Sequence, residues 1–436
     1  MRNMVVVGTI VSALSSQILP QLLFLAVMAL GDGVDRLIPF MIFYVASMSG
    51  LLVWIYMMGR FGSRRTFLTA LIVLAIGLVC FLLPFAAAIE WSAFLIGVGS
   101  IGVGSIMTTI LSQLKEGKPQ SAKGGTGPLV VVLIAWIGLF AYTLSRSYNL
   151  AVLLFLLSLL LPWRFVRRLP FEKTATWTLS TPLFVRAFVV VTLFTLASRL
   201  IRLLEGMRGF VEVFLLLLIM LGYMGWVLMQ QRTRAYVTAK QTRQVQFLAY
   251  TVGLFGGWTL IGAVFTSFAL YSFHVLVFYV FLPFLAGVLG WILFNRTFTW
   301  ARHPYVVLFV SSLVFFFGLL HPVAFIPVLF VSGYTQTMYS SIGHVQLYAA
   351  YGDNKEFASL VMQLWKKFGM VVAQSTLMIG LLTYGLIVGQ TINGGVSFAI
   401  PRDWMFGVLL VTWSINVGLV RLYGWQAKPL ADSHPK

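Results

Sequence analysis

A chain of 436 residues that is 60% hydrophobic and only 9% charged stands far from the roughly 25% charged content of soluble domains, which excludes a soluble globular enzyme. Its net charge of +19 invites a nucleic-acid partner, but the cations lie in gaps flanking apolar stretches, where they set orientation and meet anionic lipid headgroups. No nucleic-acid partner is expected, and the single cysteine, Cys80, leaves no disulfide framework or thiolate metal cluster within one chain.

A hydrocarbon core of about 30 Å takes roughly 20 apolar residues as helix, and only a segment that satisfies its own backbone can cross it. In chain order the sequence offers fourteen such stretches: 5–30, 38–58, 67–88, 92–113, 128–145, 149–163, 183–200, 209–229, 246–269, 275–294, 304–320, 323–349, 368–389 and 405–423. Every second gap is basic. These gaps hold Arg60, Arg64 and Arg65; Lys115, Lys118 and Lys123; Arg164, Arg167, Arg168 and Lys173; Arg232, Arg234, Lys240 and Arg243; Arg296 and Arg302; and Lys355, Lys366 and Lys367. The intervening gaps are short and poor in cations. The positive-inside rule therefore puts the basic gaps and both termini in the cytoplasm. The expected location is the cytoplasmic (inner) membrane of a bacterium, with no cleavable signal peptide, because the first apolar stretch is too long and lacks a small-residue cleavage site.

One region strains the rule. Between 183 and 229 the apolar runs are interrupted by Arg199, Arg202, Glu205, Arg208 and Glu212, at spacings that let opposite charges pair along a helix. Either two helices cross here with an ion-paired turn, or part of the segment lies in the interface. The chain thus reads as an N-terminal six-helix bundle (1–168), a central linker with an inserted helix pair (169–245), a C-terminal six-helix bundle (246–424) and a cytoplasmic tail (425–436). The two bundles are of similar length, and each carries a basic gap between its second and third spans, a weak internal repeat of the kind transporters use. The fold class expected is an all-α polytopic membrane protein of about fourteen transmembrane helices.

Three motifs point in one direction. Gly59-Arg60-Phe61-Gly62-Ser63-Arg64-Arg65 lies between the second and third spans, where Gly permits a tight turn and Arg can pair with helix ends and carboxylates. It resembles the cytoplasmic signature of the major facilitator superfamily, Asp-Arg-x-Gly-Arg-Arg/Lys, with Gly59 standing where the family has Asp. The resemblance implies two six-helix bundles and a gating role for Arg60, Gly62, Arg64, Arg65 and Asp353. The fourth span, with Gly97, Gly99, Ser100, Gly102, Gly104 and Ser105, resembles that superfamily's glycine-rich fourth helix, although close helix packing accounts for such a stripe without a substrate. Tyr351-Gly352-Asp353, then Lys366-Lys367-Phe368-Gly369 and a span ending Thr383-Tyr384-Gly385, resemble the corresponding loop and helix of the glycoside-pentoside-hexuronide:cation symporter branch. In that branch a Lys at the position of Lys367 supports cation and sugar binding. The competing reading of Lys367 is a lysine snorkelling to the interface.

The acids run against that branch. Its cation site uses carboxylates on the second span, and 38–58 contains none. Of the eleven Asp and Glu, only Glu212 enters a predicted span, whereas ion coupling usually requires an intramembrane ionisable group. Recognition would then rest on neutral polar and aromatic side chains. The densest set lies on the twelfth span and includes Tyr334, Gln336, Ser340 and His344; the last three recur every four residues and share a helical face. Gln17 and Gln21 pair similarly on the first span. Polar groups inside a bilayer face the bundle interior or a wet cavity, with interhelical hydrogen bonding as the alternative use. No His makes metal-ligand spacing, no P-loop or catalytic carboxylate pair is present, and neither cofactor, metal nor enzymatic activity is expected.

The function expected is a membrane transporter of the major facilitator type that moves a neutral or amphipathic solute, sugar-like or lipid-linked, by alternating access and without the usual cation coupling. The alternative is a non-transporting integral subunit or assembly factor of a larger membrane complex, and a lipid-linked oligosaccharide flippase of another fourteen-helix superfamily stands third. The partners expected are membrane lipids, the small-molecule or lipid-like substrate and, on the alternative reading, a membrane-protein complex partner.

Overall fold

The computed structural model describes residues 37–84, 87–115, 127–168, 240–271, 275–294, 304–350, 358–388 and 401–424, with scattered helical positions in 11–27 and 181–192. The described residues are almost wholly helical and include no strand. Gln17 and Asp353 lie outside them, and so does the inserted pair expected at 183–229, apart from scattered positions before 193. Two compact units separate in the chain: Met1–Leu196 with Tyr351–Gln363, and Ala197–Ala350 with Leu364–Lys436.

In the first unit, α1 runs Leu37–Leu82 and merges the second and third predicted spans. Forty-six residues of straight helix would measure about 69 Å at 1.5 Å per residue, far more than a bilayer core. The helix is broken once, at Gly62, with φ 77° and ψ 169°, a conformation open essentially only to glycine. The basic gap therefore contracts to one residue, leaving two arms (37–61 and 63–82) that each suit a bilayer. Against both arms packs α2, Ala88–Lys115, and its glycines make this possible. A Cβ at Gly97 would lie 2.5 Å from the Phe43 carbonyl oxygen of one arm, and one at Gly99 would lie 2.6 Å from the Leu74 nitrogen of the other. Trp54 donates its indole N–H to the Val98 carbonyl of α2 at 2.7 Å. The glycine stripe of the fourth span is thus occupied by helix packing.

Three shorter helices follow: α3 (Gly127–Arg146), α4 (Tyr148–Ser158) and α5 (Leu160–Arg167). Ser147, extended at φ −162°, caps α4 by accepting from the Leu150 N–H, as an N-cap serine does. Phe140 of α3 meets Phe155 of α4 edge-on at 6.1 Å.

The second unit holds α6 (Lys240–Leu270), a π-helical turn (Leu276–Phe281), α7 (Leu282–Phe294), α8 (Pro304–Val314), α9 (Phe325–Ala350), most of α10 (Ala358–Val388) and α11 (Arg402–Gly424). The π turn runs into Pro283, whose nitrogen cannot donate to the preceding turn. Between α8 and α9 the chain tightens into 3-10 turns at Phe315–Leu319 and Pro322–Ala324. Tyr271, at the end of α6, fastens the first of these by donating to the Gly318 and Leu319 carbonyls at 3.0 and 3.1 Å. His321 caps the second. A core of Leu248, Val252, Phe255, Trp291, Leu308, Tyr334, Met338 and Tyr339 joins α6, α7, α8 and α9.

One sequence expectation is corrected here. The cytoplasmic gap is expected to run to Lys367, but α10 begins at Ala358, so Lys366 and Lys367 sit in its third turn rather than at a helix start. The run Ala358–Trp365 lacks Gly and Pro and propagates helix readily.

Among the described residues, five helical stretches are long and apolar enough to cross a bilayer: Ile42–Leu82, Ala88–Met107, Tyr148–Arg167, Gln244–Ser267 and Arg402–Arg421. The protein is an integral membrane protein.

Candidate functional site

The second unit gathers the polar side chains. Helix α6 is its pivot, because three closely spaced glycines remove side chains from two of its faces. A Cβ at Gly256 would collide with the Gln336 side-chain amide of α9, and one at Gly253 with the Lys366 carbonyl of α10. At Gly257 an added Cβ would come within 2.9 Å of the Met370 Cα, while Gly369 of α10 returns the contact against the Tyr250 carbonyl of α6. Gly253 and Gly257 are four apart on one face of α6, the spacing that lets membrane helices touch backbone to backbone.

These approaches bring α9 and α10 to α6 with their polar residues inward. Gln336 is 4% exposed and donates from Nε2 to the Ser332 hydroxyl at 3.1 Å. One turn further along α9, half-buried Ser340 accepts from Lys366 Nζ at 3.4 Å. Ser340 stands ten residues before the end of α9 and Lys366 eight residues after the start of α10. Along either helix that is about 12–15 Å from its end, deeper than a lysine at a helix terminus. In the same unit, Tyr334 is buried edge-on to Trp291 at 5.6 Å, and His344 and Lys367 are half-buried.

A second polar layer joins α6, α10 and α11. Trp258 donates from its indole N–H to the Thr412 hydroxyl at 3.1 Å, and Thr376 donates to the Asn416 side-chain oxygen at 3.3 Å. Asn416 and Thr412 are fully buried, and Gln374 nearly so. Asn416 Nδ2 and the Tyr339 hydroxyl are buried with no hydrogen-bond partner among the described residues. Such orphaned groups are rare in folded proteins and mark sites that a water or a ligand completes.

The predicted site residues therefore divide. Tyr334, Gln336, Ser340, His344 and Lys367 lie in the second unit, and Gln336 and Ser340 share the inward face that their spacing indicated. Gln21 is exposed. Lys366, the neighbour of the lysine singled out by the motif, is the one that reaches α9; the doublet alone could not say which lysine points inward.

In the first unit the arginines of the Gly59–Arg65 motif have their own partners. Arg60 is exposed, lies over the Tyr56 ring with its guanidinium carbon 4.6 Å from the centroid and donates to the Thr181 hydroxyl at 3.2 Å. Arg64 donates to the Arg167 carbonyl of α5. Arg65 is exposed and Gly62 forms the break. Gly59, where the family motif has an acid, is buried.

Chemically, the second unit offers hydroxyls, amides, aromatic faces and a cation. The described acids, Glu90 and Asp403, lie in the first turns of α2 and α11, away from helix interiors. No group of three His, Cys, Asp or Glu that could hold a metal occurs among the described residues.

No family model matches the chain, and no curated protein matches it. Among solved structures it is similar to the crystal structure of an auto-inhibited POT family peptide transporter, with a TM-score of 0.56 and 13% identity over 99% of this chain and 98% of that one. At that identity the likeness shows the fold. The chain has a major facilitator-type fold, and that neighbour is a transporter rather than an enzyme.

Proposed function

We propose that this protein is a transporter of the major facilitator type that moves a neutral or amphipathic solute by alternating access. The observation that carries the reading is the coincidence of a transporter-type fold along the whole chain with buried amide and hydroxyl groups on α9, α10 and α11, two of them without a hydrogen-bond partner among the described residues. Neutral hydrogen-bonding groups beside aromatic rings suit a sugar-like headgroup, while the lysine on Ser340 also suits one anionic group on a lipid-linked solute. A peptide, the cargo of the structural neighbour, is less well served. Its ammonium needs an acid, and the acids described in this chain stand at helix ends. The same scarcity is the reason for proposing uncoupled movement. The resemblance to the glycoside-pentoside-hexuronide:cation symporters remains local to the end of α9 and to α10. Both termini are placed in the cytoplasm on the loop charges.

Gly59 in place of the motif's acid favours one competing reading, a non-transporting subunit that keeps the fold. Reconstitution into proteoliposomes separates the two. Flux of a sugar-like or lipid-linked substrate should fall at least tenfold in Gln336→Ala and in Lys367→Ala, with reconstitution yield unchanged. Absence of flux for every substrate, together with a partner protein that co-purifies at fixed ratio, would sink the transporter reading.

A further inference from the structure

In the first unit, α5 combines three features. Its inner side, Pro162 and Val166, is buried, while Arg164, Arg167 and Arg168 are exposed. Leu160, Trp163, Arg164, Arg167 and Arg168 together line an open surface hollow of about 570 Å³. The exposed leucines Leu157 (63%), Leu160 (62%) and Leu161 (43%) precede Trp163 in the chain. Along the chain the outer surface thus passes from leucine, through Trp163, to three guanidiniums within about three turns of helix. That is the order in which a bilayer passes from acyl chain to headgroup, with Trp at the boundary.

Among the described residues no Asp or Glu lines the hollow. The carbonyl of Arg167 is taken by the Arg64 guanidinium from α1. That contact neutralises the negative end of the α5 dipole and fixes the wall, and it leaves the Arg167 guanidinium itself exposed. Here a concave site, an apolar rim and three planar donors able to grip phosphate oxygens in pairs coincide.

We infer that α5 forms a specific binding site for one anionic phospholipid, its phosphate held by Arg164, Arg167 and Arg168 and its acyl chains lying along Leu157, Leu160 and Leu161. The inference is independent of the transported substrate.

The test uses the full chain purified in mild detergent and exchanged into nanodiscs. Native mass spectrometry should show phosphatidylglycerol or cardiolipin retained through delipidation and phosphatidylcholine lost. The triple variant R164Q/R167Q/R168Q should lower that retention about a hundredfold, each surface cation contributing a factor of about five. The charge-matched control R146Q/R402Q/R421Q should change it less than fivefold. In a second readout, brominated phosphatidylglycerol should quench Trp163 fluorescence more than brominated phosphatidylcholine, the difference vanishing in Trp163→Phe. This readout needs no disruptive variant. Equal retention of the two lipid classes, equal losses in the two triple variants, quenching unchanged by Trp163→Phe, or displacement by millimolar inorganic phosphate would each overturn the site. So would a triple variant that sheds a co-purifying protein while keeping its lipid.

Discussion

Replacing Gly253 by Ala tests whether the α6–α10 crossing holds the second unit together. Alanine is ordinarily the better helix residue, by about 1 kcal/mol. At Gly253, however, the new methyl would overlap the Lys366 carbonyl, a backbone atom that no rotamer change can move. The neighbouring Gly257 shows the scale: a Cβ there would be 2.9 Å from the Met370 Cα, where carbon pairs settle at about 3.5–4.0 Å. The two helices would have to part by more than half an ångström, loosening every contact along the crossing. Overpacking of this kind costs about 1–3 kcal/mol, so Gly253→Ala should be destabilising by roughly 1–2 kcal/mol after the propensity gain. At Gly138 of α3 an added Cβ meets nothing within 4 Å, and Gly138→Ala should stabilise by about 0.5–1 kcal/mol. Thermal unfolding midpoints of the two variants in one detergent should therefore shift by a few degrees in opposite directions. Shifts of the same sign, or no loss at Gly253, would refute the claim that this crossing is a backbone contact.

Three further outcomes follow from the geometry. Gly62→Ala forces a side chain into a backbone region open essentially to glycine and should cost about 1–3 kcal/mol, read as a lowered unfolding midpoint; Gly407→Ala, with open space around it, should not. Trp258→Phe and Thr412→Val each remove the α6–α11 hydrogen bond at about 0.6 kcal/mol. The double variant should then lose less than the sum of the two, and strict additivity would rule out the bond. Lys366→Met, which keeps the stem but removes the cation on Ser340, should lower flux of an anionic lipid-linked solute at least tenfold while sparing a neutral sugar. Equal loss for both solutes would mean that Lys366 acts only through packing.

Much of the architecture was legible in the sequence because a bilayer imposes its rules residue by residue. The apolar period set helix existence, and the break in the second and third spans was readable from a glycine among arginines. The glycine stripe of the fourth span announced a close crossing, and the four-residue spacing of Gln336 and Ser340 put them on one face. Local pattern misled at the start of α10. Charge marked the lysine doublet as a gap residue, but backbone propensity and the crossing at Gly369 carry the helix two turns further back.

What the sequence determined by itself is therefore membrane insertion, helical class and the shortage of acids, all properties that each residue carries into the bilayer alone. Tertiary structure decided which of two adjacent lysines faces Ser340, which glycine admits the Gln336 amide and where three arginines and a tryptophan line one open hollow. Those depend on which helices touch. Helices meet through atoms far apart in the chain, at distances set by the absence of a side chain as often as by its presence.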